Sequence, residues 1–404
     1  MGNRIISRMA GTALVMSQPA LNASATRRAL SGFFLSGLLF SLIGVILPAW
    51  GYHLKGSYLA IARYFFSLNV GILISVKLAD AVIERRGVGP VLAATAGLAC
   101  AALLWLAFAS GPYPEWWRAA GLAVIGLSIG GINTAIFHGI TPSYIHDPVA
   151  TVNMSGMLFG IGGLCTSLLV SGAFYVYTVP SILILLAAVP GLFAIGYARA
   201  PFQAPIVEHP ALKPPEELRG PAMVLITLLL FFQFGNEWSI AGWLPVFVIQ
   251  RLGINPATGI LLLAAYWLSL LIGRIAAQAI LPRVSHMKIL GGATFCALLG
   301  CTILSTTDNL GGATIGILLV GCGYAPIYPL VIEKIGYRFP YYHPGFFNGV
   351  FSLALSGALL APWLLGFVAD RWGIAMVMTL PSFGSLIVFL LVLVIWLEAR
   401  LFRH

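Results

Sequence analysis

The chain has 404 residues, of which 59% are hydrophobic and only 8% carry a charge. A water-soluble protein of this length needs more charged side chains than this to cover its surface. The formal net charge of +10 would suit a nucleic-acid partner if the basic residues formed one patch, but they are scattered over short polar breaks between apolar runs. The composition therefore predicts a polytopic membrane protein that binds no nucleic acid.

Apolar runs long enough to cross a bilayer follow one another from Arg28 to Glu398. Lipid offers no hydrogen bonds to the backbone, so a run of about 20 apolar residues is expected to span the membrane as an α-helix. The runs predict an all-α membrane protein with twelve spans, at residues 29–51, 57–80, 88–110, 118–140, 149–173, 178–200, 221–250, 257–281, 287–306, 311–332, 345–369 and 374–398.

The polar segments divide the chain into domains. Residues 1–27 are expected to form a loose cytoplasmic tail, because their apolar stretch is weak and interrupted. The long hydrophilic stretch at 201–219 is rich in proline, which is typical of an extended cytoplasmic linker. It separates residues 28–200 from residues 220–404, so we predict one bundle of six helices on each side of it.

The positions of the basic residues predict an orientation. If the N-terminus is cytoplasmic, fifteen Lys and Arg residues fall in cytoplasmic segments and four in outside loops. Cytoplasmic loops of membrane proteins carry such an excess of basic residues. We therefore expect a multi-pass protein of the plasma membrane, of the bacterial inner-membrane kind, with both termini in the cytoplasm.

The two halves repeat three sequence features at a nearly constant offset. Three matches at one spacing indicate a duplicated six-helix unit, an architecture that many secondary transporters share, with the binding site between the repeats. The matched residues, 195 to 202 positions apart, are Tyr64 with Tyr266, Pro48 with Pro245, and Asn153 with Asn348.

Loop motifs resemble the major facilitator superfamily, and the resemblance covers essentially the whole chain. Asp80, with Arg85 and Arg86 after it, resembles the signature that this family carries between spans 2 and 3. A second copy of the signature, at Gly366–Gly373, closes span 11. The resemblance implies two pseudo-symmetric six-helix bundles and a carrier that works as a monomer. Asp80, Arg85, Arg86 and Arg274 are then candidates for a gating cluster, with a solvated loop as the alternative for the first three.

Two further motifs are similar to one branch of this superfamily. Gly235–Glu237 with Trp243, and Gly323–Pro329, resemble the fucose/galactose/glucose–proton symporters and related sugar carriers. The resemblance implies a sugar-like substrate and a coupling proton. Export of amphipathic compounds and transport of organic anions remain alternative functions for the same fold.

Three ionisable side chains lie away from the ends of the predicted spans. Glu237 stands near the middle of span 7, one turn after Gln233, where a carboxyl group can exchange a proton or bond a neighbouring helix. Arg63 either reaches the membrane surface or anchors an anionic substrate. Arg274 lies nearer the end of span 8, which favours a conformational latch or a cation that reaches the interface over a substrate contact.

Neutral polar and aromatic residues at similar depth are candidates for substrate contact. Such groups face a cavity or another helix rather than lipid, so each either binds the solute or joins two helices. Pro326 and Pro329 predict a break or kink in span 10. The candidates are Asn133, Gln233, Asn236, Trp243, Tyr324, Tyr328, Asn348 and Ser352.

Enzyme and channel functions fit the sequence poorly. The chain has no GxxxxGK[ST] loop for nucleotide phosphates and no HExxH pair for zinc. It also lacks a duplicated filter-like loop. We predict no cofactor, no bound metal and no catalytic residues, and we expect the partners to be the substrate, a coupling ion and the lipid bilayer.

Overall fold

The computed structural model of the chain describes the backbone of residues 3–55, 57–111, 113–200, 202, 221–338 and 344–401. Side chains are described in the same ranges except at residues 3–23, 55, 141–146, 148–149, 221–222, 333–338, 344–353 and 399–401. The predicted linker at 201–219 therefore lies outside the described residues, apart from Phe202.

The described part of the chain is built of α-helices joined by short turns. The first half contains α1 (Asn3–Ala49), α2 (Tyr52–Lys55), α3 (Tyr58–Arg86), α4 (Val88–Ala109), α5 (Glu115–His146), α6 (Pro148–Ala173) and α7 (Val179–Arg199). The second half contains α8 (Pro221–Leu252), α9 (Pro256–Ile280), α10 (His286–Thr306), α11 (Leu310–Tyr324), α12 (Ile327–Arg338), α13 (Pro344–Trp372), a 3-10 turn (Ile374–Val377) and α14 (Thr379–Leu401).

These helices confirm the all-α membrane fold. Within the described residues, eleven segments are long and apolar enough to cross a membrane. The twelfth predicted span, 345–369, falls on α13, whose first side chains lie outside the described set. Span 10 is broken as expected, because α11 ends at Tyr324 and α12 begins at Ile327. The tail predicted at residues 1–27 differs from the expected loose segment, because α1 starts at Asn3 and its backbone is helical from there.

Local sequence explains where several helices begin. An Asn or Thr side chain accepts a hydrogen bond from the backbone of the first turn, and proline follows within the first two positions, where its missing N–H costs nothing. Asn255 caps α9 in this way, with Oδ1 accepting from the Thr258 N–H at 2.8 Å. Thr178 does the same for α7. Short polar breaks are therefore sufficient to reverse the chain between spans.

The helix packing of the first half is repeated in the second. Helices α1–α7 form the N-terminal bundle and helices α8–α14 the C-terminal bundle. In the first, α1 packs on α6, α3 on α5, and α4 on α5 and α7. In the second, the equivalent helices pair in the same way: α8 with α13, α9 with α11, and α10 with α11 and α14. The predicted duplication is therefore present in three dimensions.

Glycines of the repeat lie where helix backbones cross closely. A Cβ atom added at Gly162 of α6 would collide with the Phe34 carbonyl of α1, and one added at Gly357 of α13 would collide with the Phe231 carbonyl of α8. These two crossings are equivalent under the duplication. Since lipid gives apolar helices no hydrophobic reason to associate, such close backbone contacts are a main source of bundle stability.

The two bundles meet most extensively along three helix pairs. Helix α9 packs on α6, α13 on α3, and α8 on α1. We call the end of the bundles that is opposite the linker the far end. There, Gln250 at the end of α8 accepts from the Tyr58 hydroxyl at 2.8 Å and donates to the His53 carbonyl at 3.2 Å. Ser171 of α6 donates to the Ala257 carbonyl of α9 at 2.8 Å. The described contacts thus join the bundles at the far end.

Candidate functional site in the bundle interface

The most polar point on a spanning helix is a glutamine–glutamate pair on α8. Gln233 and Glu237 are one helical turn apart, and the Gln233 amide donates to Glu237 Oε1 at 2.8 Å. Gln233 is fully buried, and its own carbonyl oxygen has no hydrogen-bond partner. Glu237 keeps part of its surface accessible. The pair is therefore held inside the protein without being sealed off.

Arg274 of α9 is buried inside the protein, whereas the sequence favoured a conformational latch or a cation that reaches the interface. It is 7% exposed and close enough to Glu237 to interact with it electrostatically. Its guanidinium touches Gly156 on α6 of the other bundle, where an added Cβ would collide with Nη1. The expectation of a cation that reaches the membrane surface is thus wrong. The side chain crosses the bundle interface because Gly156 leaves room for it.

The interface contains an unusual set of buried polar atoms without partners. Unsatisfied polar atoms are rare in folded proteins and cost free energy, so a group of them marks a place where a ligand, water or a moving proton supplies the missing bonds. In the described residues, these atoms are Asn153 Nδ2, Gln233 Oε1, Asn236 Nδ2, Tyr266 Oη, Arg274 Nε and Arg274 Nη1, together with Arg251 Nε at the far end of α8.

Four aromatic rings from both bundles lie beside this cluster. Trp238, which follows Glu237 on α8, packs on Phe40 of α1 with ring centroids 3.9 Å apart. Phe159 of α6 contacts both Trp238, at 6.1 Å, and Trp267 of α9, at 5.8 Å. The site therefore has apolar walls next to a few polar groups, which is the usual composition of small-molecule sites.

A closed pocket between the bundles borders these rings. Phe40, Trp238 and Asn69 line it, and its volume of about 10 Å³ is enough for one water molecule. Asn69 of α3 donates its amide to the Leu359 carbonyl of α13 in the other bundle. At this level the bundles are in contact, so a solute enters only after they separate.

Span 10 does not present both tyrosines to the other bundle. Tyr324 is buried, and its hydroxyl bonds Ser385 of α14 at 2.8 Å and lies 3.2 Å from Cys301 of α10. These partners belong to its own bundle, so the expected substrate contact gives way to a structural role. Tyr328 is partly exposed and its ring packs on Phe234 of α8 at 5.2 Å.

Two further predicted contacts on α8 also join helices. Trp243 is fully buried, donates its indole N–H to the Pro362 carbonyl at 2.9 Å, and stacks on Phe65 of the other bundle at 5.9 Å. Asn236 packs against Gly384 of α14, where an added Cβ would collide with its amide. Both side chains pack against neighbouring helices in this conformation, and the Asn236 amide nitrogen has no described hydrogen-bond partner.

The remaining candidates lie in different surroundings. Asn133 of α5 is partly exposed and accepts a hydrogen bond from Ser36 of α1 at 2.8 Å. Asn348 and Ser352, the two candidates in span 11, lie outside the residues whose side chains are described. Arg63 is exposed and forms an ion pair of 2.7 Å with Glu115. This surface pair favours the interfacial role over the anion anchor.

The predicted gating cluster has a different composition in the structure. Asp80 at the linker end of α3 lies 3.1 Å from His138 of α5. Arg85 and Arg86 are exposed in the last turn of α3. Sequence reasoning missed His138 because it sits 58 positions from Asp80, and only helix packing brings the two together. It also missed the bundle-joining amides of Asn69 and Gln250.

The chain is similar in sequence to known membrane proteins. The sequence profile described as Major Facilitator Superfamily matches residues 149–357. Membrane protein MosC of Rhizobium meliloti is 22% identical over 158 residues, which are 39% of this chain and 39% of that protein. The match thus spans about two fifths of the curated relative.

Solved structures share the fold over nearly the whole chain. The nucleoside transporter NupG superposes with a TM-score of 0.64 at 14% identity, covering 93% of this chain and 99% of that one. A mutant of NupG gives 0.69 at 13%, covering 92% and 99%. A mutant of the E. coli fucose:proton symporter FucP gives 0.58 at 14%, covering 92% and 98%. At these identities the likeness shows the fold.

Proposed function

This chain belongs to the Major Facilitator Superfamily, and on that basis we propose that it is a secondary active transporter of a small, polar, sugar-like solute. It is a multi-pass membrane transporter and not an enzyme. In the proposed mechanism the two bundles rock about the interface, which opens to one side of the membrane at a time. A proton gradient drives the accumulation of the solute, and proton binding at Glu237 couples the two movements.

The observation that carries this proposal is the Gln233–Glu237 pair beside the bundle interface. An ionisable group inside a membrane costs several kcal/mol and persists where it serves a pathway or relay. Glu237 has one described hydrogen bond, from Gln233, and part of its surface stays accessible. A carboxyl group in this setting keeps a route by which a proton can reach it.

The aromatic rings and neutral amides support a sugar-like solute. Rings such as Trp238 and Phe159 cover the apolar face of a sugar, while amides offer donors and acceptors to its hydroxyl groups. Among the predicted contacts, we propose that Gln233, Tyr328 and Asn133 bind the solute, because each retains an unused polar atom or an accessible surface. NupG and FucP are named for a nucleoside and for fucose, so both classes belong in a ligand panel.

Transport by purified protein in liposomes tests the proposal. The wild-type protein should accumulate its solute when a pH gradient is imposed and should exchange labelled for unlabelled solute without one. Glu237→Gln keeps the shape and the bond with Gln233 but cannot release a proton, so accumulation should be lost while exchange continues. Glu115→Gln, at the surface pair with Arg63, is the matched control and should accumulate normally. Normal accumulation by Glu237→Gln would refute the coupling role.

We further propose that Asp80, His138, Arg85 and Arg86 form the gate at the linker end. The protein is proposed to work as a monomer in a bacterial inner membrane. Both termini and the 201–219 linker are proposed to face the cytoplasm. The positive-inside distribution supports the orientation. Single cysteines placed in the linker should not react with a membrane-impermeant thiol reagent in intact cells. They should react once the membrane is permeabilised. Reaction in intact cells would reverse the topology.

A further inference from the structure

The spanning helices at the bundle interface contain several buried hydrogen-bond donors without partners. Arg274 has two unpartnered N–H groups, Asn153 contributes an unpartnered amide nitrogen, and the Tyr266 hydroxyl is free to donate. Among the fully buried atoms of these helices, Gln233 Oε1 is the acceptor without a partner, and Glu237 adds a partly accessible carboxylate that accepts one described hydrogen bond, from Gln233. A guanidinium only donates. From these unpartnered donors we propose that the transported solute carries an anionic oxygen group, such as a carboxylate, which binds to Arg274; this rests on the transport function proposed above.

Among the residues whose side chains are described, none places a counter-charge within contact distance of Arg274. The ion pairs of the described residues are Arg63–Glu115, His138–Asp80 and Arg251–Asp308. Glu237 acts on Arg274 over a longer distance, and its Oε1 is bonded to Gln233. A buried guanidinium without a partner is costly, and an anion brought in by the solute removes that cost. The site is therefore complementary to a ligand that brings oxygen acceptors and a negative charge.

The position of Arg274 also explains why binding would affect both bundles. Its guanidinium belongs to α9 but lies against Gly156 of α6, one turn beyond Asn153. An anion bound there contacts donors from both bundles at once. Arg63, the other intramembrane cation, is exposed and already paired with Glu115. The anion site is thus at Arg274, in the interface, and not at Arg63.

Matched pairs of neutral and acidic compounds test this inference. Glucose with glucuronate, galactose with galacturonate, and ribitol with ribonate differ in charge but little in shape. Each is added to the purified protein at constant ionic strength, and the melting temperature is recorded, since a ligand stabilises the state it binds. The acid of at least one pair should raise the melting temperature of the wild-type protein more than its neutral partner does.

Variants at Arg274 separate recognition from folding. Loss of a charge-assisted hydrogen bond should weaken acid binding by about 10- to 150-fold in Arg274→Gln, and Arg274→Lys should retain part of the preference. Removing an unpaired buried charge should leave the protein folded, which its melting curve without ligand will show. Arg371→Gln removes an exposed charge at the far end of α13 and should bind like the wild-type protein.

Two results would overturn the inference. One is that no acid stabilises the wild-type protein, or that every neutral partner does so at least as well. The other is that Arg274→Gln keeps the full preference for an acid. Failure of the transport proposal is recognised separately: a neutral compound that shows counterflow in liposomes leaves transport intact while the anion site fails, whereas a bound acid that is never exchanged removes the transport function.

Discussion

The N-terminal and C-terminal bundles share one helix arrangement but differ in whether their buried polar side chains find hydrogen-bond partners. In the N-terminal bundle, Ser36 bonds Asn133 at 2.8 Å and Ser41 bonds Ser167 at 3.1 Å. In the C-terminal bundle, the atoms left without partners lie on α8 and α9. Asn153 is the exception in the N-terminal bundle. Duplication therefore supplied two similar scaffolds, and the reactive groups are concentrated in one of them.

This difference has a physical basis in membrane folding. A satisfied polar pair strengthens a bundle, whereas an unsatisfied group weakens it and persists only where something else binds it. The N-terminal bundle thus acts chiefly as a partner surface for the C-terminal bundle. Gly156, Asn153 and Asn133 are the places where it would join the proposed site.

The largest effect should come from substitutions that test whether the two scaffolds are equivalent. Gly162→Ala and Gly357→Ala each drive a methyl group into a backbone carbonyl of the neighbouring helix. Overpacking of this kind costs about 1–3 kcal/mol, so both variants should melt at a lower temperature, by similar amounts. Gly172→Ala and Gly292→Ala, where the added methyl meets open space, are the controls. A large loss in only one bundle would show that the scaffolds differ.

The next effect concerns the contacts that join the bundles at the far end. Gln250→Ala removes the hydrogen bonds to the Tyr58 hydroxyl and the His53 carbonyl. At about 0.5–1.5 kcal/mol for each bond, the population open at the far end should rise roughly 5- to 150-fold. Spin labels on the exposed residues Leu54 and Trp372 report the opening as a longer distance.

A graded control accompanies this measurement. Tyr58→Phe removes one of the two bonds and should produce a smaller shift than Gln250→Ala. If the label distances of both variants match those of the wild-type protein, these hydrogen bonds do not hold the bundles together.

A smaller effect distinguishes a satisfied asparagine from an unsatisfied one. Asn69 bonds the Leu359 carbonyl across the interface, while Asn153 has an amide nitrogen without a partner; both are buried. Asn69→Leu should lower the stability by about 0.5–1.5 kcal/mol. Asn153→Leu should leave the melting temperature unchanged or raised but reduce the transport rate. If Asn153→Leu transports normally, Asn153 is not part of the site.

The smallest effect is a pH dependence of far-end closure. Burial lowers the pKa of His53, whose Nδ1 lies 3.0 Å from the Pro48 carbonyl. Because the closed state disfavours the charged ring, closure is complete above the usual histidine range and weakens as the pH falls through it. The label distance between Leu54 and Trp372 should therefore lengthen slightly at pH 5, and His53→Asn should abolish this change. An identical shift in that variant would assign it to another group.

Most of the fold follows from the sequence because membrane helices obey a local rule. A run of apolar residues with polar ends is sufficient to place a span, and the observed helix bounds lie close to the predicted ones for this reason. The break near Pro326 and the one-turn spacing of Gln233 and Glu237 are also local properties. The repeat at 195 to 202 residues predicted the two bundles.

The sequence by itself therefore determined the spans, their duplication and which polar residues share a helix face. The tertiary structure decided which helix each face meets: Tyr324 and Trp243 bond neighbouring helices, and Arg274 is buried against Gly156. Helical periodicity cannot distinguish these outcomes, because faces toward the bundle interior, the interface and lipid are all apolar in a membrane protein. Small residues on a distant helix make room for a side chain, and only packing reveals them.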